Sequence, residues 1–280
     1  MRIPRLFVDP KEIDCVNKMA TVSDEKQVHQ LLRVLRLSRG AAVDILDGAG
    51  SLYRCRLTET SSRCVSMSIE ECLFSETTSL TEIAVALPPL RSSRFEWAIE
   101  KLTELGVSRI IPLATQRSVV KIEDQTRVRP TGVRGSAAGA PLPEVPFQDA
   151  PGKRCQAKLS RWRSIAKEAA EQCERLTIPH VVAPEKLADL LVQKREGEDL
   201  IVFMLAERSS SPHLLDFLGN HSDAPQKALI VVGPEGGFTE EELHLASESN
   251  LTLVSLGSRI LRSETAAIYA TSLIASFWNK

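Results

Sequence analysis

The chain lacks the residue patterns that mark several large classes of protein. Its six cysteines form no CxxC pair and its five histidines are scattered, without an HExxH spacing. This excludes an evident disulfide framework or zinc motif. The GxSxG, Walker and GxGxxG motifs of hydrolases and nucleotide-binding proteins are also missing. The sequence therefore predicts no bound metal and no activated nucleophile.

An excess of charge of one sign and long apolar runs are missing as well. The 35 Lys and Arg residues nearly balance the 36 Asp and Glu residues, so any contact with a nucleic acid must depend on a local patch. No apolar run reaches the length of a membrane span, and no signal-peptide pattern is present. With unpaired thiols, these features favour a cytoplasmic globular protein without a membrane partner.

Residues 1–74 have the pattern of a small domain that is mostly β. A helix is predicted over 24–37, and Asp47-Gly48-Ala49-Gly50 has the composition of a hairpin turn. Alternating polar and apolar residues indicate strands with one buried face. The predicted strands lie at 3–8, 42–46, 52–57 and 64–69. This set of short strands suits a small β-barrel, and the polar stretch 75–81 marks its end.

Strands and helices alternate from residue 82 onward, which favours an α/β domain over 78–280 with a parallel sheet covered on both faces. Capping boxes at Ser93 and Thr239 indicate two helix starts. A further helix runs through 162–173, and the last is predicted over 263–278. The predicted strands lie at 83–87, 110–113, 200–205, 228–232 and 251–256.

Residues 124–158 interrupt this alternation. Prolines and glycines fill the stretch and no apolar periodicity remains, so it is predicted to be a flexible surface insertion. Basic residues outnumber acidic ones there. Both a solvated insertion and an arm that contacts RNA fit this composition.

The most informative pattern is a pair of glycine-bearing corners. Gly233-Pro234-Glu235-Gly236-Gly237-Phe238 follows the apolar run 228–232, and residues 256–266 follow the run 251–256. Each corner leads into a predicted helix. Strand-to-helix corners of this kind form ligand crevices beyond the strand ends of α/β proteins. Gly233–Phe238 alone fits a plain turn equally well, whereas the tandem pair is a specific signal for a ligand site.

Together with three further blocks, these corners resemble the RsmE family, SPOUT-class enzymes that methylate N3 of a uridine in 16S ribosomal RNA with S-adenosylmethionine. The three blocks are residues 1–8, 29–40 and 97–107. The resemblance implies a PUA-like RNA-binding barrel at 1–74 and a trefoil-knotted SPOUT domain at 78–280. It also implies a homodimer, with the small ribosomal subunit as partner. The small residues of the last helix fit a dimer seam and a core helix equally well.

The resemblance further implies that the corners hold S-adenosylmethionine, a cofactor whose activated methyl group explains why no nucleophile motif is needed. A third wall is expected at the end of the strand 200–205. Glu235 fits a loop carboxylate as well as a cofactor or cross-subunit contact, and the third wall fits an ordinary loop. The expected cofactor-binding residues are Leu205, Ala206, Glu207, Gly233, Glu235, Gly236, Gly237, Leu256, Gly257, Ile260 and Leu261.

Uridine N3 carries a proton, so its methylation needs a group that stabilises the negative charge left when the proton leaves. Arginine suits this because it is planar and always charged. Arg262, beside the second corner, is the first candidate for the catalytic charge and Arg94 the second. Glu264 is a candidate proton acceptor, with capping of the last helix as the alternative.

Contacts with RNA are expected from basic residues of both domains, although each also fits an ordinary surface charge. The candidates are Arg2, Arg5, Arg33, Arg36, Arg91, Arg117 and Lys121. Two other functions stay open at this stage. One is a different SPOUT reaction, on a ribose 2′-oxygen or a tRNA base, and the other is a ribosome-associated RNA-binding protein without catalysis.

Overall fold

The computed structural model describes residues 3–75, 80–90, 92–118, 153–192, 199–206, 211–221, 223–249 and 251–279. Two sheets in succession organise them. The strands are β1 (Arg5–Phe7), β2 (Ile13–Asp14), β3 (Met19–Val22), β4 (Ala42–Leu46), β5 (Ser51–Thr60), β6 (Val65–Ser75), β7 (Glu82–Leu87), β8 (Arg109–Ala114), β9 (His180–Val181), β10 (Glu185–Lys186), β11 (Leu200–Leu205), β12 (Lys227–Val231) and β13 (Thr252–Val254). The helices are α1 (Glu25–His29), α2 (Ser92–Glu104), α3 (Lys153–Gln172), α4 (Leu187–Val192), α5 (Leu214–Asn220), α6 (Glu240–Glu248) and α7 (Ser263–Trp278).

The first sheet has six strands in the order β1-β4-β5-β6-β3-β2. Only the pair β1 and β4 is parallel. The predicted hairpin turn joins β4 to β5, and Gly48 (φ +72°) and Gly50 (φ +112°) adopt the left-handed backbone that glycine favours. Apolar residues from five strands and α1 form one core inside this sheet. The sequence missed β2 and β3 because strands of two and four residues carry little periodicity.

The helix predicted over 24–37 extends only to Val34, and its second half is not an α-helix. Asp24 caps α1 by accepting from the Gln27 backbone N–H, as its sequence position suggests, but α1 ends at His29. A π-helical turn follows over Gln30–Val34, and Arg36 takes a left-handed φ of +52°. Leu31 of this stretch is buried in the core of the first sheet, whereas Leu35 is 38% exposed.

The second sheet runs β10-β8-β7-β12-β11-β13, with β9 beside β8. All its pairs are parallel. One face is covered by α2, α3, α5 and α7 and the other by α4 and α6, as predicted. After β13, at the edge of the sheet, the chain returns to α7, which packs against α2 and β7. None of the helices within the described ranges is long and apolar enough to cross a membrane.

Two helix starts differ from the sequence prediction. The first helix of this domain begins at Ser92, so Ser93 lies inside α2 and is not its cap. Helix α3 begins at Lys153, so residues 153–158 of the predicted insertion are helical; residues 119–152 lie outside the described residues. The capping box at Thr239 and the bounds of α7 are as predicted.

A small apolar cluster joins the two sheets. Phe7 and Leu46 of the first sheet pack with Ala170 of α3 and the following Ile178. The Ile178 backbone N–H donates to the Gly48 carbonyl at 3.1 Å. The Lys167 ammonium donates to the Phe7 carbonyl at 3.4 Å. Apolar burial and backbone hydrogen bonds therefore hold the first sheet against α3.

We predict that Phe7→Ala lowers the free energy of unfolding by about 3–5 kcal/mol, the usual cost of emptying a buried phenylalanine site. Phe7 is 3% exposed, whereas Phe74 is 50% exposed. Phe74→Ala, the matched control, should cost less than about 1 kcal/mol. Urea unfolding followed by circular dichroism measures both. Equal losses would contradict a stabilising role for this cluster.

Candidate functional site

A cavity of about 720 Å³ lies at the carboxyl ends of β11, β12 and β13. Parallel strands place their carboxyl ends at the same edge of the sheet, so the loops that follow the three strands meet there. Both faces of the sheet contribute to its walls. Among the described residues, the lining includes Arg117, Leu205, Ala206, Val232, Gly233, Pro234, Glu235, Gly236, Gly237, Phe238, Leu243, Leu253, Val254, Ser255, Leu256, Gly257, Ser258, Arg259, Ile260, Leu261, Ser263 and Ala266.

The corner after β12 forms the first wall of the cavity. Glycine occupies its positions for different structural reasons. Gly237 has φ +68° and donates to the Pro234 carbonyl at 2.8 Å, which closes a tight turn. A Cβ atom at Gly233 would lie 3.0 Å from the Phe238 ring, so a larger residue there would require the ring to move by a few tenths of an ångström. At Gly236 a Cβ would meet Arg117 at an ordinary 3.5 Å. Positive φ thus favours glycine at Gly237 and close packing favours it at Gly233, whereas neither reason applies at Gly236.

The loop after β13 forms the second wall. Gly257 has φ +110°, and its N–H donates to the Ser255 hydroxyl at 3.2 Å. Leu256 and Leu261 are half-buried, whereas Ile260 is 57% exposed although it lines the cavity. An apolar side chain exposed at the rim of a cavity offers contact area to a ligand.

The end of β11 forms the third wall. Leu205 is buried, and the Ala206 N–H donates to the Val254 carbonyl at 3.0 Å. This bond continues the pairing of β11 with β13 to the edge of the cavity. Glu207, also expected in this wall, lies outside the described residues.

Arg117 is a cavity residue that sequence reasoning assigned to RNA contact. Its guanidinium donates to the carbonyls of Gly236 at 2.9 Å and Phe238 at 3.3 Å. It therefore holds the glycine corner from the segment that follows β8. No local motif signals this contact, because Arg117 is more than a hundred residues from its partners. The structure gives no RNA contact to test the earlier assignment, which stays a prediction.

Arg94 lies between two carboxylates beside the corner. Its Nη1 atom is 2.8 Å from Glu235 Oε1, and its Nε atom is 3.9 Å from Glu264 Oε1. Glu264 is 5% exposed, and its Oε2 atom has no hydrogen-bond partner among the described residues. Half the carboxylate is therefore buried without a partner. A buried acceptor in this state is costly and asks for an explanation.

Arg262 is exposed and occupies the N-cap position of α7, where its side chain makes no capping hydrogen bond. The guanidinium has no hydrogen bond or ion pair with another described residue. Its neighbour Ser263 donates from its hydroxyl to the Gly233 carbonyl at 2.7 Å. The two corners are thereby joined, and Arg262 projects beside the junction. Glu264 lies in the first turn of α7, where the positive end of the helix dipole stabilises a carboxylate.

The expected RNA-contact residues divide by their partners. Arg5 is 3.8 Å from Asp44 of β4 and 3.3 Å from Glu174, and the second ion pair links the segment just after α3 to the first sheet. Arg33 lies in the π-helical turn and Arg36 just after it, and both are exposed. Arg2, Arg91 and Lys121 lie outside the described residues. In the part of the chain that the structure describes, no group of three His, Cys, Asp or Glu side chains is placed to hold a metal ion.

Two family models match the chain. One, described as an RNA methyltransferase domain, matches residues 77–135 and 145–275. The other, described as an RNA methyltransferase PUA domain, matches residues 23–65. The matches fall on the second and the first sheet respectively.

Relatives and solved structures agree with these models. The ribosomal RNA small subunit methyltransferase E of Synechocystis sp. is 33% identical over 270 residues, 96% of this chain and 76% of that protein. The protein of the same name in Bacillus subtilis is 31% identical over 252 residues, 89% of this chain and 87% of that protein. A structure from Legionella pneumophila, described as a methyltransferase with bound S-adenosylmethionine, is 25% identical with a TM-score of 0.74, covering 99% of this chain and 98% of that one. The predicted fold class, an α/β chain with a PUA-like unit followed by a parallel-sheet methyltransferase domain, is confirmed.

We predict that Gly237→Ala lowers the free energy of unfolding by about 1–2 kcal/mol, because alanine pays a steric cost at positive φ. Gly219 of α5 is the matched control: a Cβ meets nothing within 4 Å at either position, and only Gly237 has positive φ. Gly219→Ala should stabilise by about 0.4–1 kcal/mol. Urea unfolding of both variants separates backbone strain from crowding. Stabilisation by both substitutions would refute the argument.

Proposed function

Because this chain belongs to the ribosomal RNA small subunit methyltransferase E family, we propose that it methylates N3 of a uridine in 16S ribosomal RNA with S-adenosylmethionine. The observation that carries the proposal is the cavity built from the loops after β11, β12 and β13, two of which were marked by their glycines. Its volume lies in the range of small-ligand and cofactor sites. An occluded corner would have favoured the non-catalytic RNA-binding alternative.

The residues present fit S-adenosylmethionine, which supplies an activated methyl group when bound. Leu256, Ile260 and Leu261 offer apolar surface to a nucleobase, and Leu205 closes the opposite side. Backbone groups at Gly233–Gly237 and at Gly257 offer donors and acceptors for polar atoms. The turn geometry of both corners fixes these groups in place before a ligand arrives, which lowers the ordering cost of binding.

Charge stabilisation is the task left to the side chains. Arg262 lies beside the junction of the two corners, and its guanidinium has no partner among the described residues. We assign it the role of stabilising the negative charge that develops on the uridine ring. Arg94 is already held by Glu235 and Glu264, so we assign it to positioning these carboxylates. The Oε2 atom of Glu264, which has no hydrogen-bond partner in the described part of the chain, is the candidate acceptor for the N3 proton.

The remaining parts of the proposal concern assembly. We assign residues 1–74 to RNA positioning and residues 78–280 to methyl transfer, in a cytoplasmic homodimer acting on the small ribosomal subunit. Tyr269 of α7 and Trp97 of α2 are large side chains that are 37% and 46% exposed. Their exposure supports α7 as part of the dimer seam, because large aromatic groups are enriched at such interfaces.

The proposal is tested by incubating the protein with S-adenosylmethionine and small ribosomal subunits from a strain that lacks this enzyme. Mass spectrometry of nuclease fragments then locates the methyl group. A methyl on uridine N3 supports the proposal. A methyl on a ribose 2′-oxygen, or on tRNA only, would replace it with the corresponding alternative reaction.

We predict that Ile260→Asp weakens binding of S-adenosylmethionine by at least about 10-fold, because a charge replaces apolar contact at the cavity rim. Ile260 is 57% exposed, so the fold should be unaffected. Leu215→Asp is the control, since Leu215 is 44% exposed on α5 and is not among the cavity residues. Titration calorimetry measures affinity and circular dichroism the fold. Equal affinity of Ile260→Asp and wild type would place the cofactor elsewhere.

We predict that Arg262→Ala slows methyl transfer by about 10²- to 10³-fold, the cost of losing one preorganised charge-stabilising donor. Affinity for S-adenosylmethionine should change little, because Arg262 is not among the residues of the cavity wall. Arg262→Lys should recover only part of the rate, since an ammonium cannot reproduce the planar fork.

Single-turnover kinetics with small subunits measures these rates. Arg109→Ala is the control. Arg109 begins β8 and therefore lies at the amino ends of the parallel strands, away from the cavity at their carboxyl ends. If Arg262→Ala and Arg262→Lys both react at the wild-type rate, the catalytic assignment of Arg262 is wrong. If Arg262→Ala loses cofactor affinity in proportion to rate, its role is binding.

A further inference from the structure

The segment Arg33–Arg39, called here the docking turn, exposes apolar side chains that have no structural use. Val34 is 65% exposed and Leu35 is 38% exposed. The two residues are adjacent in sequence. Leu31, three residues before Val34, is by contrast 2% exposed and belongs to the core of the first sheet. Two neighbouring apolar residues displayed outside the core suggest a contact surface.

The arginines of the docking turn are exposed and uncommitted. Arg33, Arg36 and Arg39 make no side-chain hydrogen bond or ion pair with any residue in the described ranges. Arginines of the neighbouring strands behave differently, since Arg54 pairs with Asp44 and Arg56 with Glu70. No acidic residue occurs between Glu25 and Asp44. The turn is therefore a local cationic surface in a chain with a formal net charge of −1.

The backbone of the docking turn is fixed in an unusual shape. The Leu35 N–H donates to the Gln30 carbonyl at 2.9 Å, and the Leu37 N–H donates to the Leu31 carbonyl at 3.0 Å. Arg36 has φ +52°, which is costly for a residue with a Cβ. Single π-helical turns and left-handed side-chain-bearing residues are found most often at functional sites. With this backbone, Val34, Leu35 and the arginines lie exposed outside the core.

We propose that the docking turn binds an unpaired stretch of RNA, with the three guanidinium groups on phosphates and Val34 and Leu35 against the face of an unstacked base. The inference rests on the function proposed above, and it adds the site and the form of RNA. Guanidinium groups bind phosphate through paired donors. Base faces are covered by stacking in a duplex and become accessible to apolar side chains in loops and single strands.

Charge decides between RNA and a second copy of this chain as the occupant. A symmetric contact between copies would bring two sets of Arg33, Arg36 and Arg39 together, which is unfavourable without intervening acids. A polyanion meets the same three charges favourably. The apolar pair then contributes a contact that does not depend on salt.

The test compares two variants of the full-length protein by fluorescence anisotropy. The probes are a single-stranded RNA of about 12 nucleotides, within the size that one such surface covers, and the duplex of the same sequence. The variant Arg33→Gln, Arg36→Gln, Arg39→Gln should lower the slope of log affinity against log salt by about 2, or about 0.7 for each lost contact. The variant Val34→Ser, Leu35→Ser should bind the single strand about 5- to 10-fold more weakly. Its salt slope and its duplex affinity should not change.

The turn between β2 and β3 supplies the matched control, because Val16 is 92% exposed there beside Lys18. Val16→Ser with Lys18→Gln should bind both probes as wild type does. Equal weakening by this control, or equal weakening of single strand and duplex by the apolar variant, would overturn the proposal. Unchanged RNA binding together with altered sedimentation of the apolar variant would assign the turn to a contact between copies instead.

The binding measurements need no S-adenosylmethionine, so they are independent of the enzymatic assay. If wild-type protein methylates small subunits and all three variants bind RNA as it does, the docking turn is refuted and the proposed function stands. If wild-type protein fails to methylate small subunits, the proposed function is refuted. The salt slopes and the preference for the single strand then still decide whether the turn binds RNA.

Discussion

The parallel alignment of β11, β12 and β13 is the constraint on which the candidate site depends. The loops that follow these strands meet at one end of the sheet only because the three strands are parallel neighbours. Each loop then contributes one wall of the cavity. No single loop has enough apolar surface or enough backbone donors to enclose a ligand alone. The site is therefore a property of the sheet, and the register of the strands determines its shape.

Contacts from distant elements stabilise the glycine corner within that frame. Arg117 binds its carbonyls from beyond β8, and Ser263 binds Gly233 from the start of α7. Arg94 reaches Glu235 from α2, although this ion pair is half-exposed and contributes little to stability by itself. Glycine makes the turn possible, but it also makes the loop flexible. The side-chain contacts offset that flexibility and hold the backbone groups in the arrangement that a ligand meets.

The cavity walls could be predicted from the sequence because each wall directly follows a strand with a clear apolar pattern. Ten of the eleven expected cofactor residues line the cavity and the other, Glu207, lies outside the described residues. Arg117 could not be placed, since its contact with Gly236 depends on a sheet order that brings distant segments together. The end of α1 was missed because it depends on tertiary packing. Propensity favours a longer helix, and the choice of a π-helical turn depends on packing against the first sheet.

Counting charges could not separate structural arginines from available ones, because the difference lies in the partners. Arg5 looked as suitable for RNA as Arg33, yet Arg5 is paired with Glu174, which lies just after α3. Releasing Arg5 to a phosphate would break that contact between the two parts of the molecule. Arg33, Arg36 and Arg39 have no such contact to lose with a described residue, so their full charge is available to a ligand. The same reasoning separates Arg262 from Arg94 at the cavity. In both places the uncommitted guanidinium lies next to exposed apolar surface, where a base and its phosphates would offer complementary chemistry.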